Sequence, residues 1–167
     1  MKRIALLLLL SACGGSPDGL GASFVTHSGV IFDGSDADWM PRSVADADED
    51  LVARIARARG IDPGLMAGTR VYLHAEKTWE CRPGATCYGS TNTTVAASPG
   101  TWPSIPEVEL ARPEWCPWQS SYAHELVHVL LARSGIPDSD NGGHLGTIWG
   151  EVEKAWRERY LLKCAGL

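Results

Sequence analysis

Two histidines one helical turn apart, with a glutamate between them, set the strongest constraint on this chain: His124-Glu125-Leu126-Val127-His128. On an α-helix residues i and i+4 share a face. Both imidazoles can therefore offer a ring nitrogen to one Zn²⁺ at about 2.0–2.1 Å, while Glu125 stands beside the ion, able to take a proton from its water. With 5 His in 167 residues, chance yields this arrangement in about one such chain in a hundred. The surroundings sharpen it. Leu126, Val127, Val129, Leu130 and Leu131 flank the pair, so residues 121–133 are predicted as a mostly buried helix, opened by a Ser121 cap and closed at Gly135 with Pro137 just beyond. Buried His and Glu need partners, because unpaired buried charge is costly. The plain alternative is a pair of hydrogen-bonded core histidines.

A zinc ion that keeps one position for water takes three protein ligands, so a third donor is expected downstream. His144 is the first choice. It follows Pro137-Asp138-Ser139-Asp140-Asn141-Gly142-Gly143, a turn-rich stretch that can double the chain back over the first helix, and its two glycines let the backbone approach closely. Glu151, Asp140 and Asp138 are the rivals. If His144 binds, Glu151 or Asp140 is left to accept a hydrogen bond from a ligand's second ring nitrogen and so fix its tautomer.

Taken together, His124, Glu125, His128, His144 and Trp149 make residues 119–150 resemble a small zincin metallopeptidase, nearest to SprT-like and related compact bacterial metallopeptidases. In those, HExxH is followed after a short connection by a His and then an aromatic residue. The resemblance implies zinc on the three histidines, Glu125 as the group that handles the proton, and a peptide or protein substrate held along a strand edge beside the metal helix. The longer HExxHxxGxxH pattern is absent, and no Met follows Met66 to form a Met-turn, so the chain does not resemble metzincins. Glu151, lying 23 residues after His128, resembles the spacing of peptidases whose third ligand is a glutamate. Proteins of the SprT type are often intracellular and associated with DNA, and here the N-terminus points elsewhere.

Met1-Lys2-Arg3 is a short positive segment, residues 4–10 are apolar, and Leu10-Ser11-Ala12-Cys13 resembles a bacterial lipoprotein processing site. The apolar run is too short to span a bilayer. Residues 1–12 are therefore expected to be a removed signal, residues 13–22 a lipidated Cys13 with a flexible Gly-rich tether, and residues 23–167 the folded domain. Several acyl chains, at about 0.8 kcal/mol per buried CH₂, anchor durably. Gly14 after the cysteine favours, by the same resemblance, the outer membrane of a Gram-negative cell. An ordinary secretory signal with an incidental cysteine is the alternative, and either way the chain is exported to the cell envelope. Loss of Lys2 and Arg3 leaves 13 of 15 basic residues against 20 acids, a net charge of about −7, which argues against nucleic acid as a partner. The chain is expected to be a monomer.

Export suits the remaining cysteines, Cys81, Cys87, Cys116 and Cys164, an even number for an oxidising compartment. Cys81 and Cys87 enclose a tight turn, so a local bridge is expected there; by elimination Cys116 would pair with Cys164, a closure that contributes about 2–4 kcal/mol. A Cys₄ zinc site lacks the CxxC pairs it would want.

Elsewhere, strands are expected over residues 24–32, 70–78, 87–97 and 107–111, the second and third as a hairpin, with helices over 44–59 and 145–162. Asp46, Asp48, Glu49 and Asp50 crowd the start of the first helix and Arg54, Arg57 and Arg59 its end, an order that suits the helix dipole. The fold class is thus α+β, a small zincin-like domain whose mixed or antiparallel sheet packs against an active-site helix and a C-terminal helix. The Asp-rich stretches 33–38 and 138–143 are read as turns rather than calcium loops. His27 and His74 are read as surface or satisfied core residues, Trp102, Trp115 and Trp118 as loop packing, and Tyr122 and Tyr160 as conceivable oxyanion donors. The expected function is zinc-dependent peptide hydrolysis by a lipid-anchored envelope protein. The alternative is a non-catalytic zinc-binding or structural lipoprotein that retains the cluster.

Overall fold

A computed structural model of the chain describes residues 23–34, 39–92, 105–136, 144 and 147–167, with the side chains of residues 81 and 82 excepted. The expected signal, Cys13, the tether, both Asp-rich stretches beyond Gly34 and Pro137, Trp102 and strand residues 93–97 lie outside them. The strands are β1 (Phe24–Val25), β2 (Ile31–Asp33), β3 (Arg70–Leu73), β4 (Trp79–Arg82), β5 (Ala85–Cys87), β6 (Gly89–Asn92) and β7 (Glu107–Leu110). The helices are α1 (Arg42–Ala58), α2 (Tyr122–Arg133) and α3 (Thr147–Cys164). Among the described residues no helix is long and apolar enough to cross a membrane. The fold is α+β, with a mixed sheet in the order β1-β2-β3-β7-β6 and a separate β4-β5 hairpin.

The sheet has one wet face and one dry face, and period-two alternation assigns residues to each. Phe24, Phe32, Val71, Val108 and Thr91 form one inward row across five strands; Leu73, Leu110 and Gly89 form the next. Tyr72, Glu109 and Ser90 take the other face. Phe32, Val71, Leu73, Val108 and Leu110 join Val44, Leu51 and Val52 of α1 and Leu126, Val127 and Leu130 of α2 in one core. At the edge strand β6 the inward row changes character: Thr91 and Gly89 bring a hydroxyl and a bare backbone toward α2.

Several sequence expectations need correction. Residues 24–32 form two antiparallel strands, because the chain turns at Thr26–Gly29: the Val30 N–H donates to Thr26 Oγ1 at 3.1 Å and the Gly29 N–H to the Thr26 carbonyl at 3.1 Å. The strand from Arg70 ends at Leu73 and pairs in parallel with β2 and β7, not with the chain after Cys87. The hairpin is instead β4-β5. Cys87 is disulfide-bonded, while the side chain of Cys81 lies outside the described residues. Asp48 and Glu49 of α1 are buried, so they do not serve the helix dipole from solvent. Asp48 faces Arg159, 3.4 Å away, and its carboxyl is pushed up to about 7 chiefly by burial, with Glu49 adding and Arg159 opposing. The Tyr122 hydroxyl donates to Glu49 Oε1 at 2.6 Å. Trp115 is 78% exposed rather than packed; Trp118 does pack on the core and lies under Arg159 and Lys163.

At its C-terminus α2 ends as the sequence predicts. Gly135 adopts φ +66°, its N–H bonds the Ala132 carbonyl at 3.0 Å and the Ile136 N–H bonds that of Leu131 at 3.0 Å, a Schellman closure that satisfies two end carbonyls. Its start differs. Ser121 makes no side-chain cap; its hydroxyl donates to the Tyr88 carbonyl at 3.1 Å and ties the helix to the chain entering β6.

Beyond Val152 helix α3 has no fully buried residue, so its C-terminal half needs another anchor. The Cys116–Cys164 disulfide supplies it, with Cα atoms 5.9 Å apart and a sequence separation of 48. Replacing both cysteines with serine should lower unfolding free energy by about 2–4 kcal/mol. Urea denaturation of the variant beside the parent checks this; equal midpoints would mean that Trp118 and Arg159 suffice to hold the helix.

Candidate metal centre

Helix α2 is buried along most of its length, and only His124, His128 and Arg133 are partly exposed. His124 and His128, one turn apart, are half-buried. His144, which precedes α3, joins them: the ligand atoms of the three rings lie within 4.8 Å of one another. Nε2 of His144 is 3.1 Å from Nε2 of His128. Two ligands of a tetrahedral zinc ion with bonds of about 2.05 Å sit roughly 3.3 Å apart, so three nitrogens at this spacing could hold such an ion. The rings meet edge to face or tilted, with centroids 5.2, 4.6 and 5.0 Å apart. Trp149, 4% exposed, touches all three, with its ring 4.7, 4.5 and 4.5 Å from those of His124, His128 and His144. It forms an apolar wall that restricts ring rotation.

His144 has φ +49°, a left-handed backbone that costs a non-glycine residue about 1–2 kcal/mol. Strain of this kind persists where surrounding structure over-determines it, and here it turns the imidazole onto the other two. The structure does not bring Glu151 to them. That carboxylate pairs with Arg59, at 2.6 Å through Oε1 and 3.4 Å through Oε2, and Arg59 also donates to Thr147. The result ties the end of α1 to the first turn of α3, next to His144. Asp138 and Asp140 lie outside the described residues.

Glu125 is 5% exposed. Its Oε2 accepts a 2.5 Å hydrogen bond from the Thr91 hydroxyl of β6. Burial pushes the carboxyl up to about 7 and the Thr91 bond pulls against that rise. Amides of the first turn of α2 also favour negative charge there. Strand β6 comes so close that a Cβ on Gly89 would lie 2.4 Å from Glu125 Oε1 and 2.2 Å from Ser121 Oγ. Sequence reasoning missed both β6 residues. Their signal lay in the alternation of a strand whose partner only the tertiary fold reveals.

Of the remaining candidates, Tyr122 is fully buried and turned to Glu49 on the far side of α2, so it cannot serve as an oxyanion donor. Tyr160 stacks on Trp156 at 5.5 Å. His74 stacks on Trp79 at 4.6 Å and lies 3.6 Å from Glu109, in line with a structural role. A cleft of about 920 Å³ opens over the centre, lined by His124, Glu125, His144, Trp149, Gly89 and Trp156 among others. Its rim carries both signs of charge, in the pairs Lys77–Glu114 at 3.1 Å and Arg157–Glu153 at 2.9 Å. No family model, curated protein or solved structure matches the chain, so the centre rests on its own geometry.

Two substitutions test the support from β6. Gly89→Ala should destabilise the protein by about 1–3 kcal/mol through overpacking against Glu125. Thr91→Val, which leaves a buried carboxylate oxygen without its donor, should cost about 1–3 kcal/mol. Both are read from urea unfolding curves, and an alanine variant as stable as the parent would mean that β6 has room to move.

Proposed function

We propose that this protein is a zinc-dependent peptidase of the cell envelope, tethered through lipid on Cys13. The observation that carries the reading is the convergence of His124, His128 and His144, with His124, His144 and Glu125 lining an open cleft and Glu125 next to His124 on α2. His124, His128 and His144 would hold the ion. Zn²⁺ bound there supplies Lewis acidity, which polarises a carbonyl and makes a water molecule more acidic.

Glu125 handles the proton. Its Oε2 is fixed by Thr91, which leaves Oε1, on the side of Gly89, to accept a proton as water attacks a peptide carbonyl. The same oxygen then returns that proton to the departing amine. Burial favours the protonated form of this carboxyl, which suits a group that must hold a proton between the two transfers. Trp149 keeps the three rings in register and excludes water from one side of them.

The substrate is a peptide in extended form. Among the described residues β6 is an edge strand that pairs with β7, and its Gly89 lines the cleft. An extended chain can add to such an edge through backbone hydrogen bonds. The N-terminal sequence and the Cys116–Cys164 disulfide support an exported protein.

Glu125→Gln should retain one zinc equivalent at the centre and lose peptide hydrolysis by about 10²–10⁴-fold. A peptide library digested by the purified protein, with products read by mass spectrometry, checks this, and an active variant would refute the role of Glu125. Hydrolysis by the parent should vanish with a chelator and return with added Zn²⁺. Zinc uptake without cleavage of any library member would favour a zinc-binding lipoprotein instead.

A further inference from the structure

On the far side of α2 the turn between β1 and β2 lays His27 across the first half of α1. Asp46, Glu49 and Asp50 stand at i, i+3 and i+4 of that helix and present their carboxylates on one face. The His27 backbone N–H donates to Asp46 Oδ1 at 3.1 Å, and ring Nδ1 lies 3.0 Å from the same oxygen and 4.0 Å from Glu49 Oε2. Ring Nε2 lies 3.1 Å from Asp50 Oδ1.

Glu49 is the unexplained member. Its side chain is 0% exposed, and although Tyr122 serves Oε1, Oε2 makes no hydrogen bond among the described residues. The Thr26 and Ser28 hydroxyls lie near enough to favour the ionised form of Glu49, but neither makes a hydrogen bond of good geometry to Oε2: Thr26 bonds Val30, and Ser28 Oγ lies 3.3 Å from His27 Nε2. A proton on Nδ1 would point at Asp46 and leave Glu49 Oε2 beyond hydrogen-bond reach. A buried carboxylate oxygen left this way is costly. A cation between the three atoms would satisfy all of them. The contact to Asp50 prepares the ring for it: with the Nε2 hydrogen donated to that carboxylate, Nδ1 keeps a free lone pair, the arrangement in which a carboxylate orients a metal-binding imidazole.

We propose that His27 Nδ1, Asp46 Oδ1 and Glu49 Oε2 form a second site for a divalent metal ion of the zinc class, which pins the β1–β2 turn to α1. One nitrogen and two carboxylate oxygens are donors that Zn²⁺ accepts. Through Glu49 and Tyr122 the ion also steadies the first turn of α2 from behind. The site is independent of the hydrolytic reading.

Zinc content of the full chain after equilibration with excess Zn²⁺ and gel filtration, measured by mass spectrometry of the metal, tests it. The parent should carry two equivalents. His27→Ala should carry one, and His128→Ala should also carry one and still gain thermal stability from Zn²⁺, a gain that adding His27→Ala removes. Should His27→Ala fail to fold, Asp46→Asn, of similar shape, takes its place with the same expected loss of one equivalent. Unchanged stoichiometry in the folded variant, or a His128→Ala protein whose melting Zn²⁺ does not move, overturns the second site and leaves His27 as an imidazolium held by its carboxylates. Loss of metal from His128→Ala alone would concern only the first centre.

Discussion

A helix with almost no wet face must find a partner inside the protein for every polar group it carries, and α2 is such a helix. Its apolar residues, Leu126, Val127, Val129, Leu130 and Leu131, are buried, and so are Tyr122 and Glu125. Each polar group is met by a different part of the chain. Tyr122 bonds Glu49 of α1, Glu125 bonds Thr91 of β6, and Arg133 donates to the carbonyls of Leu65 and Ala67. His128 meets His144. Displacing any of these elements would leave a donor or acceptor open, at roughly 1–3 kcal/mol each, so the helix fixes the relative places of α1, edge strand β6, the segment around residues 65–67 and His144.

The sheet answers this demand through its alternation. Inward rows are aromatic or aliphatic across the centre, where Phe32, Val71 and Val108 face the helices, and become small and polar only at β6, where they meet Glu125. A Val in place of Thr91 would continue the apolar row and strand the carboxylate. A side chain in place of Gly89 would lie within contact distance of it. The mixed order follows as well: β6 runs antiparallel to β7 and closes the edge beside α2, while β2, β3 and β7 run parallel in the buried middle.

What could be read from the sequence was local. The apolar spacing of residues 121–133, the stop at Gly135, the pairing of Cys116 with Cys164 and the approach of His144 to the HExxH helix all depend on short-range pattern or simple elimination. Strand pairing did not show, because β2, β3 and β7 are brought together by side-chain rows that span the whole chain. The turn at Thr26–Gly29 was signalled by Ser28-Gly29 within an otherwise strand-like run. The burial of Asp48 and Glu49 could not be seen, since an acid at a helix start is ordinary and their partners, Arg159 and Tyr122, lie 111 and 73 residues away. Thr91 and Gly89 were hidden for the same reason: nothing near them in sequence hints at Glu125.

Glu125 shows how these constraints combine at one atom. Burial drives its carboxyl toward the protonated form, and the Thr91 hydroxyl opposes that at Oε2. The two oxygens are thereby made unequal. Oε2 is held against the sheet, whereas Oε1 lies where the Gly89 side chain would otherwise be, in a cleft that Gly89 and Glu125 both line. An anchored oxygen sets the orientation of the carboxyl plane and lowers the entropy lost when the other oxygen meets a ligand. The absent methyl group at position 89 thus does what a polar residue there could not: it keeps a buried carboxylate reachable on one side while the fold holds it rigid on the other.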